Sequence, residues 1–335
     1  MIKVAQIGVG YWGKNLLRVF NEHPQVQVQA VCDLNAEIRN RVSRDYANIA
    51  VYSNLEDLFS DSEIDAVVIA TEPVTHYEIC KQALLEGKHV FVEKPMVLEI
   101  EHGEELVKLA EQQKKTLMVG HLLEYHPVYV KTHELIKEGE LGEVYYVYST
   151  RVNLGVVRKD ENSLWSLAPH DISVALMLMG ETPTRVVSTG QSNLQKGIED
   201  VVFTTIHFSD KKIAHIHVSW LDPHKIRKLT VVGSKKMAVI DDMESTEKMR
   251  IYDKGVDLRV DFAAYTEALT LRIGDILIPN IKMQEPLKLE CAHFVECVLE
   301  GKRPKSDGWD GLRVVKVLDA AEKSLKSSGK PVEIN

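Results

Sequence analysis

The chain has 335 residues, which is too long for one comfortable hydrophobic core, so two domains are expected. With 44% hydrophobic and 27% charged residues, it has the composition of an ordinary globular protein. The formal net charge of −8, without any block of basic residues, argues against nucleic-acid binding.

Four scattered cysteines lack the spacing of a metal site and suit a reducing compartment. Met1 leads almost directly into a strand, so no signal peptide is expected. No apolar run approaches the roughly 18 residues of a membrane span. The sequence therefore predicts a cytoplasmic protein without a metal or a membrane partner.

The first part of the chain alternates between apolar strands and helical patterns. Strands are predicted at 3–7, 26–33, 65–71, 89–95 and 116–121, and helices at 14–21, 36–46, 75–87 and 99–114. This alternation predicts a parallel sheet with helices on both faces, over residues 1–122.

The rest of the chain, residues 123–335, is richer in alternating strands. Strands are predicted at 142–153, 185–193, 199–210, 213–222, 227–234 and 236–242, and helices after Pro169 and at 289–299 and 312–324. We expect an α+β domain with a large, mostly antiparallel open sheet, whose terminal helices pack back on either domain.

A glycine-rich turn follows the first strand. Residues 8–13, GVGYWG, have the pattern G-x-G-x-x-G, and Asp33 ends the second strand 20 positions after Gly13. A strand before this turn and a helix after it are typical of a dinucleotide-binding Rossmann domain. Gly8 would allow the tight turn, and Gly10 would let the backbone approach a pyrophosphate. Asp33 would bind both ribose hydroxyls and repel a 2′-phosphate, which favours NAD over NADP.

Further contacts are predicted where strands end, since an open α/β sheet binds its ligand at its carboxyl edge. His76 would contact the cofactor, although an ordinary histidine at a helix start is equally consistent. Lys94 would reach a substrate hydroxyl beside the nicotinamide, and a surface salt-bridge lysine is the alternative. The predicted cofactor contacts are Gly8, Gly10, Tyr11, Trp12, Gly13, Asp33, Thr71, Glu72, Pro73, His76, Glu93, Lys94, His121 and Trp165.

Four segments together resemble the Gfo/Idh/MocA oxidoreductases. They are GVGYWG, ATEPVTHYE from residue 70, VFVEKP from residue 90 and DGLRVVKVLDAAEKS from residue 310. The resemblance runs over nearly the whole chain and implies a second-domain sheet that forms oligomer contacts, hence a homodimer or homotetramer. It also implies that Lys94 and a histidine of the second domain stand at the nicotinamide.

Residues 165–180, WSLAPHDISVALMLMG, contain the candidate for that histidine. Pro169, His170 and Asp171 are predicted to open a helix whose apolar continuation is buried. In the family, the histidine usually follows an aspartate by four residues, but that position is Ser166 here. Asp171 is adjacent, yet on a helix its side chain points elsewhere. We therefore predict a catalytic His170 without an aspartate partner, and a capping or core histidine is the alternative.

Longer phrases narrow the resemblance to the WlbA-like dehydrogenases, which oxidise the 3-hydroxyl of UDP-N-acetylglucosamine or its uronic acid. The phrases are WSLAPHDIS, HLLEYHP from residue 121 and RVNLGVVRKDEN from residue 151. The cations and amides of the last phrase suit a diphosphate or carboxylate and sugar hydroxyls, or else a solvated loop. The predicted substrate contacts are Lys94, Tyr148, Arg151, Asn153, Arg158, Asn162 and His170, with Lys159 in the same loop and Tyr125 and His126 as weaker candidates.

Three other residues have two interpretations. Trp165 would pack over the sugar or the nicotinamide, or else lie in the core. His215 and His217 alternate onto one face of a strand, and two histidines make a poor metal site, so we interpret them as sheet-surface residues.

The expected reaction is NAD-dependent oxidation of the C3 hydroxyl of UDP-N-acetylglucosamine or its uronate to a 3-keto sugar. His170 is expected to act as the base while Lys94 orients the hydroxyl. The resemblance implies that a PLP aminotransferase then consumes the keto sugar, on the way to the 2,3-diamino sugars of lipopolysaccharide. Two alternatives stay open: a dehydrogenase of a free polyol or aldose, and a non-catalytic NAD-binding sensor.

Overall fold

The computed structural model of the protein describes residues 1–208, 212–261 and 266–334. The chain folds into two compact units. The first unit consists of Met1–His126 and Gln284–Val315, and the second of Pro127–Met283 and Lys316–Asn335. The first unit is therefore discontinuous in sequence, and its second segment contains the terminal helix predicted at 289–299, which was expected to pack on either domain.

The helices and strands have the following bounds. The strands are β1 (Ile2–Ile7), β2 (Val26–Cys32), β3 (Ala50–Tyr52), β4 (Ala66–Ile69), β5 (His89–Glu93), β6 (Leu117–Gly120), β7 (Val144–Val152), β8 (Arg185–Gln191), β9 (Val201–His207), β10 (Ile213–Ser219), β11 (Ile226–Gly233), β12 (Met237–Asp241), β13 (Met249–Asp261), β14 (Thr266–Leu277) and β15 (Val332–Glu333). The helices are α1 (Gly13–Glu22), α2 (Ala36–Asp45), α3 (Leu55–Phe59), α4 (His76–Leu85), α5 (Ile100–Gln113), α6 (Pro127–Lys137), α7 (Ser163–Met179), α8 (Pro286–Glu300) and α9 (Gly308–Lys326).

The first unit is built on a parallel sheet with the strand order β3-β2-β1-β4-β5-β6. All four residues of β4 are buried, as expected for a parallel strand covered on both faces. This arrangement confirms the predicted Rossmann-type sheet.

The segment 284–315 completes the core of the first unit. The ring of Phe294 on α8 packs edge-on against Phe20 and Phe91, with centroids 6.1 and 5.7 Å away. All three phenylalanine side chains are fully buried. Burial of aromatic surface is the largest contribution that a side chain makes to a core, so α8 is an integral part of this unit.

The second unit contains a sheet with the order β14-β13-β12-β11-β7-β10-β9-β8-β15 among the described residues. Every neighbouring pair is antiparallel except β7 with β10, which is parallel. This confirms the predicted large, mostly antiparallel sheet. Helix α7 packs on β7, β9 and β10 and buries one face of the sheet.

Several elements were not predicted from the sequence. These are the short β3, α3 and β15, the helix α6 and the long hairpin β13–β14. The predicted strand at 199–210 ends at His207, and its last two residues, 209–210, lie outside the described residues.

Helix α7 begins earlier than predicted. Asn162 is its N-cap, and its side-chain oxygen accepts a hydrogen bond from the N–H of Trp165 at 3.2 Å. Pro169 lies inside the helix, so His170 is an interior helical residue and not a residue of the helix opening. The prediction that Pro169 opens the helix is therefore wrong, because the cap at Asn162 starts the helix well before it.

A buried ion pair ties α7 to the sheet. The Arg151 Nε donates to Asp171 Oδ2 at 2.5 Å, and both side chains are less than one tenth exposed. Successive residues of β7 point to opposite faces, so Arg151 lies on the α7 side of the sheet and Tyr148 on the other side.

No helix among the described residues is long and apolar enough to cross a membrane.

Asp171→Ala should destabilise the protein by about 3–5 kcal/mol, because it leaves a buried guanidinium without its partner. The free energy of unfolding from urea denaturation measures this. Glu134→Gln is the control, since it removes an exposed ion pair with Lys131 at 3.2 Å and should cost less than about 1 kcal/mol. An equal loss in both variants would contradict a special role for the buried pair.

Candidate functional site

The candidate cofactor site of the first unit lies at the carboxyl edge of its parallel sheet. Here β1 leads into the glycine turn, β2 into Asp33, β4 into Thr71, β5 into Lys94 and β6 into His121. Open α/β sheets bind ligands at this edge, so the predicted cofactor residues of this unit share one location.

The glycine turn has little room for side chains. Gly8 has φ +84°, and a Cβ there would lie 2.7 Å from the carbonyl oxygen of Ala70. The Gln6 amide donates to the carbonyl oxygens of Gly8 and Gly13, at 2.9 and 2.7 Å, and braces the turn from beneath. Gly10, in contrast, faces open space, which fits the approach of a pyrophosphate.

The Asp33 carboxylate is oriented by the backbone. Its Oδ2 accepts the N–H of Val9 at 2.8 Å, and its Oδ1 accepts the N–H of Asn35 at 2.9 Å. Each oxygen keeps a further lone pair, so the carboxylate can still accept ribose hydroxyls. The fit of this edge to NAD therefore rests on Asp33 and on the open space at Gly10.

The two aromatic residues of the turn differ in their contacts. Tyr11 is 88% exposed, and the Lys14 ammonium lies 5.3 Å from its ring centroid. Trp12 is partly exposed, and its indole N–H donates to Glu93 Oε1 at 2.5 Å. This hydrogen bond links the glycine turn to the end of β5.

A tight turn follows β4. The Thr71 and Thr75 hydroxyls are 2.7 Å apart, and Thr75 also donates to the carbonyl oxygen of Glu72 at 2.8 Å. Pro73 begins a single 3₁₀ turn, and the Glu72 side chain is exposed at the edge.

His76, a predicted cofactor contact, lies in the interior of the first unit. It is fully buried, and its two ring nitrogens lie 2.9 Å from the carbonyl oxygen of Pro95 and 3.2 Å from that of Thr71. Burial lowers the pKa of the imidazole. His76 therefore connects the loops after β4 and β5 from the interior. The side chain lies there because it is in the first turn of α4, on the side that faces inward.

Glu93 has an unusual environment for a carboxylate. Burial among protein atoms raises its pKa to about 7, although the hydrogen bond from Trp12 and the charge of Lys94 act in the opposite direction. The Lys94 N–H also approaches Oε2 at 3.3 Å. On the neighbouring strand, a Cβ at Gly120 would lie 3.1 Å from this carboxyl group, so a glycine leaves it room.

Lys94 follows β5 and His121 follows β6, and the charge of Lys94 acts on the His121 ring. Burial and then the charge of Lys94 lower the pKa of His121 to about 3. His121 is 1% exposed, and neither ring nitrogen has a hydrogen-bond partner among the described residues. The peptide bond between Lys94 and Pro95 is cis.

In the second unit, His170 occupies the interior of α7. Ser166 precedes it by one turn on the same helix face, and Trp165 is partly buried one residue earlier. The Asp171 carboxylate is committed to Arg151, so it does not replace the missing aspartate of the family pattern.

Two predicted substrate residues have partners within the second unit, and a third lies on the other face of its sheet. Arg151 is buried against Asp171, because its position on β7 points under α7. Asn162 caps α7 and donates to Glu199 and Glu322 at 3.0 and 2.9 Å. Tyr148 is 44% exposed on the opposite sheet face from α7, so the sheet separates it from His170.

The other candidates of the second unit remain available. Arg158 and Lys159 are exposed in the loop between β7 and α7, and Asn153 is partly exposed at the start of that loop. His215 and His217 lie on the open face of the sheet, as predicted, where the ring of His217 stacks on Phe203 at 4.3 Å.

Among the weaker candidates, Tyr125 is buried in the first unit, where its hydroxyl lies 2.9 Å from that of Ser306. His126 is also buried.

Glu290 of α8 was not predicted from the sequence. This residue is fully buried, and neither carboxyl oxygen has a hydrogen-bond partner in the part of the chain that the structure describes. Burial and the neighbouring carboxyl groups of Glu93 and Glu124 raise its pKa well above the usual range. The sequence did contain a signal for this buried carboxyl group, because Glu290 lies on the apolar stripe of α8 between Leu287 and Phe294.

Within the described ranges, no group of three or more histidine, cysteine, aspartate or glutamate side chains is placed to hold a metal ion.

The sequence matches two models of one family. Residues 2–121 match the oxidoreductase family with an NAD-binding Rossmann fold, and residues 129–239 match the Gfo/Idh/MocA C-terminal domain. Together they cover more than half of the chain.

The known proteins that are similar to this chain are named for different activities. 2,7-Anhydro-N-acetylneuraminate hydratase of Escherichia coli K12 is 28% identical over 271 residues, 75% of this chain and 70% of that protein. Scyllo-inositol 2-dehydrogenase (NAD(+)) of Bacillus subtilis 168 is 26% identical over 352 residues, 100% of this chain and 96% of that protein. The structure of UDP-N-acetylglucosamine 3-dehydrogenase GnnA from Acidithiobacillus ferrooxidans has a TM-score of 0.82 at 21% identity, covering 97% and 98% of the two chains, so the fold is shared.

The parallel sheet with its glycine turn and the two family matches lead to the same conclusion: the chain belongs to the Gfo/Idh/MocA family of oxidoreductases, with NAD as its cofactor.

Proposed function

We propose that the protein oxidises the C3 hydroxyl of a UDP-linked N-acetylamino sugar, either UDP-N-acetylglucosamine or its uronate. The observation that carries this proposal is the exposed pair of cations, Arg158 and Lys159, in the loop that leads into the helix of His170. Arg158 forms a partly exposed ion pair with Glu161 at 3.6 Å, and such pairs contribute about 0–1 kcal/mol. A diphosphate therefore competes for this guanidinium at little cost.

The loop is also anchored near its cations. The side-chain amide of Gln195 donates to the carbonyl oxygen of Arg158 at 2.7 Å. This contact restrains the backbone while the guanidinium stays exposed. A restrained backbone lowers the entropy cost of binding a charged ligand there.

The reaction needs a base and a group that orients the hydroxyl. NAD, when bound, supplies the hydride acceptor. His170 takes the hydroxyl proton, a role typically worth about 10²–10⁴ in rate. Lys94 donates to the hydroxyl oxygen and stabilises the negative charge that develops there. Ser166 stands where the family has an aspartate, and a serine is not a base at neutral pH, so the role of base falls to His170.

The resulting keto sugar is a substrate for a PLP aminotransferase, which is the partner enzyme that we propose. A homo-oligomer is proposed as well, with contacts through the open sheet face. This face exposes Tyr146, Tyr148 and Phe203, each about two fifths exposed, and exposed aromatic clusters are typical of interfaces.

A dehydrogenase of a free inositol or related polyol is the second candidate. The match to the Bacillus subtilis scyllo-inositol dehydrogenase over the whole chain favours it. A polyol has no phosphate, so this candidate leaves the cations of the 154–161 loop without a ligand.

Stoichiometric enzyme with NAD and UDP-N-acetylglucosamine, or with its uronate, should give one burst of reduced nicotinamide. A single turnover is needed because the oxidation is unfavourable near neutral pH, so hydroxylamine is added to trap the ketone. A burst with inositol alone would support the second candidate. Binding of NAD without a burst from any sugar or polyol would leave a non-catalytic sensor.

His170→Asn should slow the burst by about 10²–10⁴, because the hydroxyl loses its base. Stopped-flow absorbance of reduced nicotinamide measures the rate, and NAD affinity should stay unchanged. An unaltered burst rate would remove His170 from the mechanism.

Arg158→Ala should raise the KM for the UDP sugar about tenfold or more, because it removes a charge-assisted hydrogen bond to phosphate. Steady-state kinetics with hydroxylamine present measures KM. Lys236→Ala is the matched control, since it removes a partly exposed cation of the same unit that pairs with Glu140 at 2.8 Å, near the start of β7 and not its end. Equal KM values in all three proteins would argue for the uncharged polyol.

A further inference from the structure

A cluster of acidic groups lies behind the candidate cofactor edge of the first unit. Glu93 and Glu124 are the charged neighbours that raise the pKa of Glu290, after burial itself. Because Glu290 is fully buried without a hydrogen-bond partner among the described residues, its neutral form is favoured over its charged form.

Few charged groups of the described chain face Glu93. Lys94 is the cation that acts on it, and its acidic neighbours on α8 are Glu290 and Cys291, while Glu124 acts on Glu290. Burial and neighbouring carboxyl groups raise the pKa of the Cys291 thiol well above its usual range. His121 is neutral at physiological pH, since its pKa is about 3. Of Glu93, Glu290, Cys291 and His121, Glu93 is the one whose pKa lies near neutrality, at about 7.

Glu93 is also linked to the candidate cofactor edge by a hydrogen bond and by the chain itself. Its Oε1 accepts the indole N–H of Trp12, which lies in the glycine turn, and its own strand continues directly into Lys94. The hydrogen bond therefore spans from the end of β1 to the end of β5, across β4. Glu93 is partly buried, so a change of charge at this edge acts on it with less screening than it would at a fully exposed site.

We propose that Glu93 is the proton store of the site, ionised while the bound cofactor is oxidised and protonated once the cofactor is reduced. The oxidised nicotinamide ring carries a positive charge that the reduced ring lacks. A nearby carboxylate is stabilised by that charge, and it gains proton affinity when the charge is lost.

The inference itself requires only that the protein binds NAD. The part that Glu93 plays during turnover rests, in addition, on the proposed function. When a sugar alcohol is oxidised, the C–H bond yields a hydride to NAD and the O–H bond yields a proton to the base. As the nicotinamide ring loses its positive charge, the Glu93 carboxylate takes up one proton and becomes a carboxylic acid, and the sugar keeps the new C=O bond. Solvent receives the proton only when the reduced cofactor leaves.

The test is calorimetric and needs no sugar. Binding of NAD+ and of NADH is measured in two buffers of different ionisation enthalpy, between about pH 6 and 8, which gives the protons taken up by each complex. NADH binding should take up more protons than NAD+ binding, with the largest difference, up to about one proton, near neutral pH. The absence of a difference across this range would overturn the proposal.

Glu93→Gln keeps an oxygen that accepts the Trp12 N–H but cannot titrate, so the difference in proton uptake should disappear. Glu111→Gln is the matched control, because Glu111 accepts the indole N–H of Trp309 at 2.8 Å in the same unit. This control should retain the full difference. Retention of the difference in Glu93→Gln would assign the proton to another group and overturn the proposal.

Trp12→Phe keeps the test decisive if Glu93→Gln fails to fold. It removes a hydrogen bond that favours the ionised carboxyl, so the pH at which proton uptake is half complete should move upward by about one unit. An unmoved midpoint would overturn the proposal. Failure of the proposed function looks different, since the binding measurement would succeed while no sugar gives a burst.

Discussion

The close approach of Gly8 to the carbonyl oxygen of Ala70 is the constraint on which the site depends. It lets β1 turn over the end of β4, so the glycine turn stands at the middle of the sheet rather than at its margin. The ends of β2 and β5 then lie on either side of that turn. Asp33 is bonded to it from one side and Glu93 from the other, the latter through Trp12. A side chain at residue 8 would separate the two strands, and both connections would be lost.

The sequence predicted those strands and helices whose own pattern of apolar residues indicates which of their faces are buried. The strands around the glycine turn are apolar runs, and they were found within a few residues of their bounds. The hairpin β13–β14 was missed because its apolar residues do not mark one buried face: Leu271 and Ile273 are each 78% exposed, whereas Ile251 is buried. Helix α6 was missed because its β-branched opening, Pro127–Val130, is equally typical of a strand.

The candidate site was predictable where one residue's role follows from its own backbone position, as with Gly8, Gly10 and Asp33. It was not predictable where a role depends on a partner distant in sequence. Arg151 has the chemistry of a phosphate ligand, but Asp171 pairs with it 20 residues later. His76 has the position of a cofactor contact, but the carbonyl oxygens of two loops hold its ring in the interior.

The discontinuity of the first unit has a consequence for how the protein is made. Phe294 closes the core between Phe20 and Phe91, yet a ribosome adds it only after the whole of the 127–283 segment has been synthesised. During synthesis at about 5–20 residues per second, the nascent Rossmann sheet spends several seconds with an open apolar patch where α8 belongs. An isolated fragment of residues 1–126 would keep that patch permanently, so it should aggregate rather than behave as an independent NAD-binding domain.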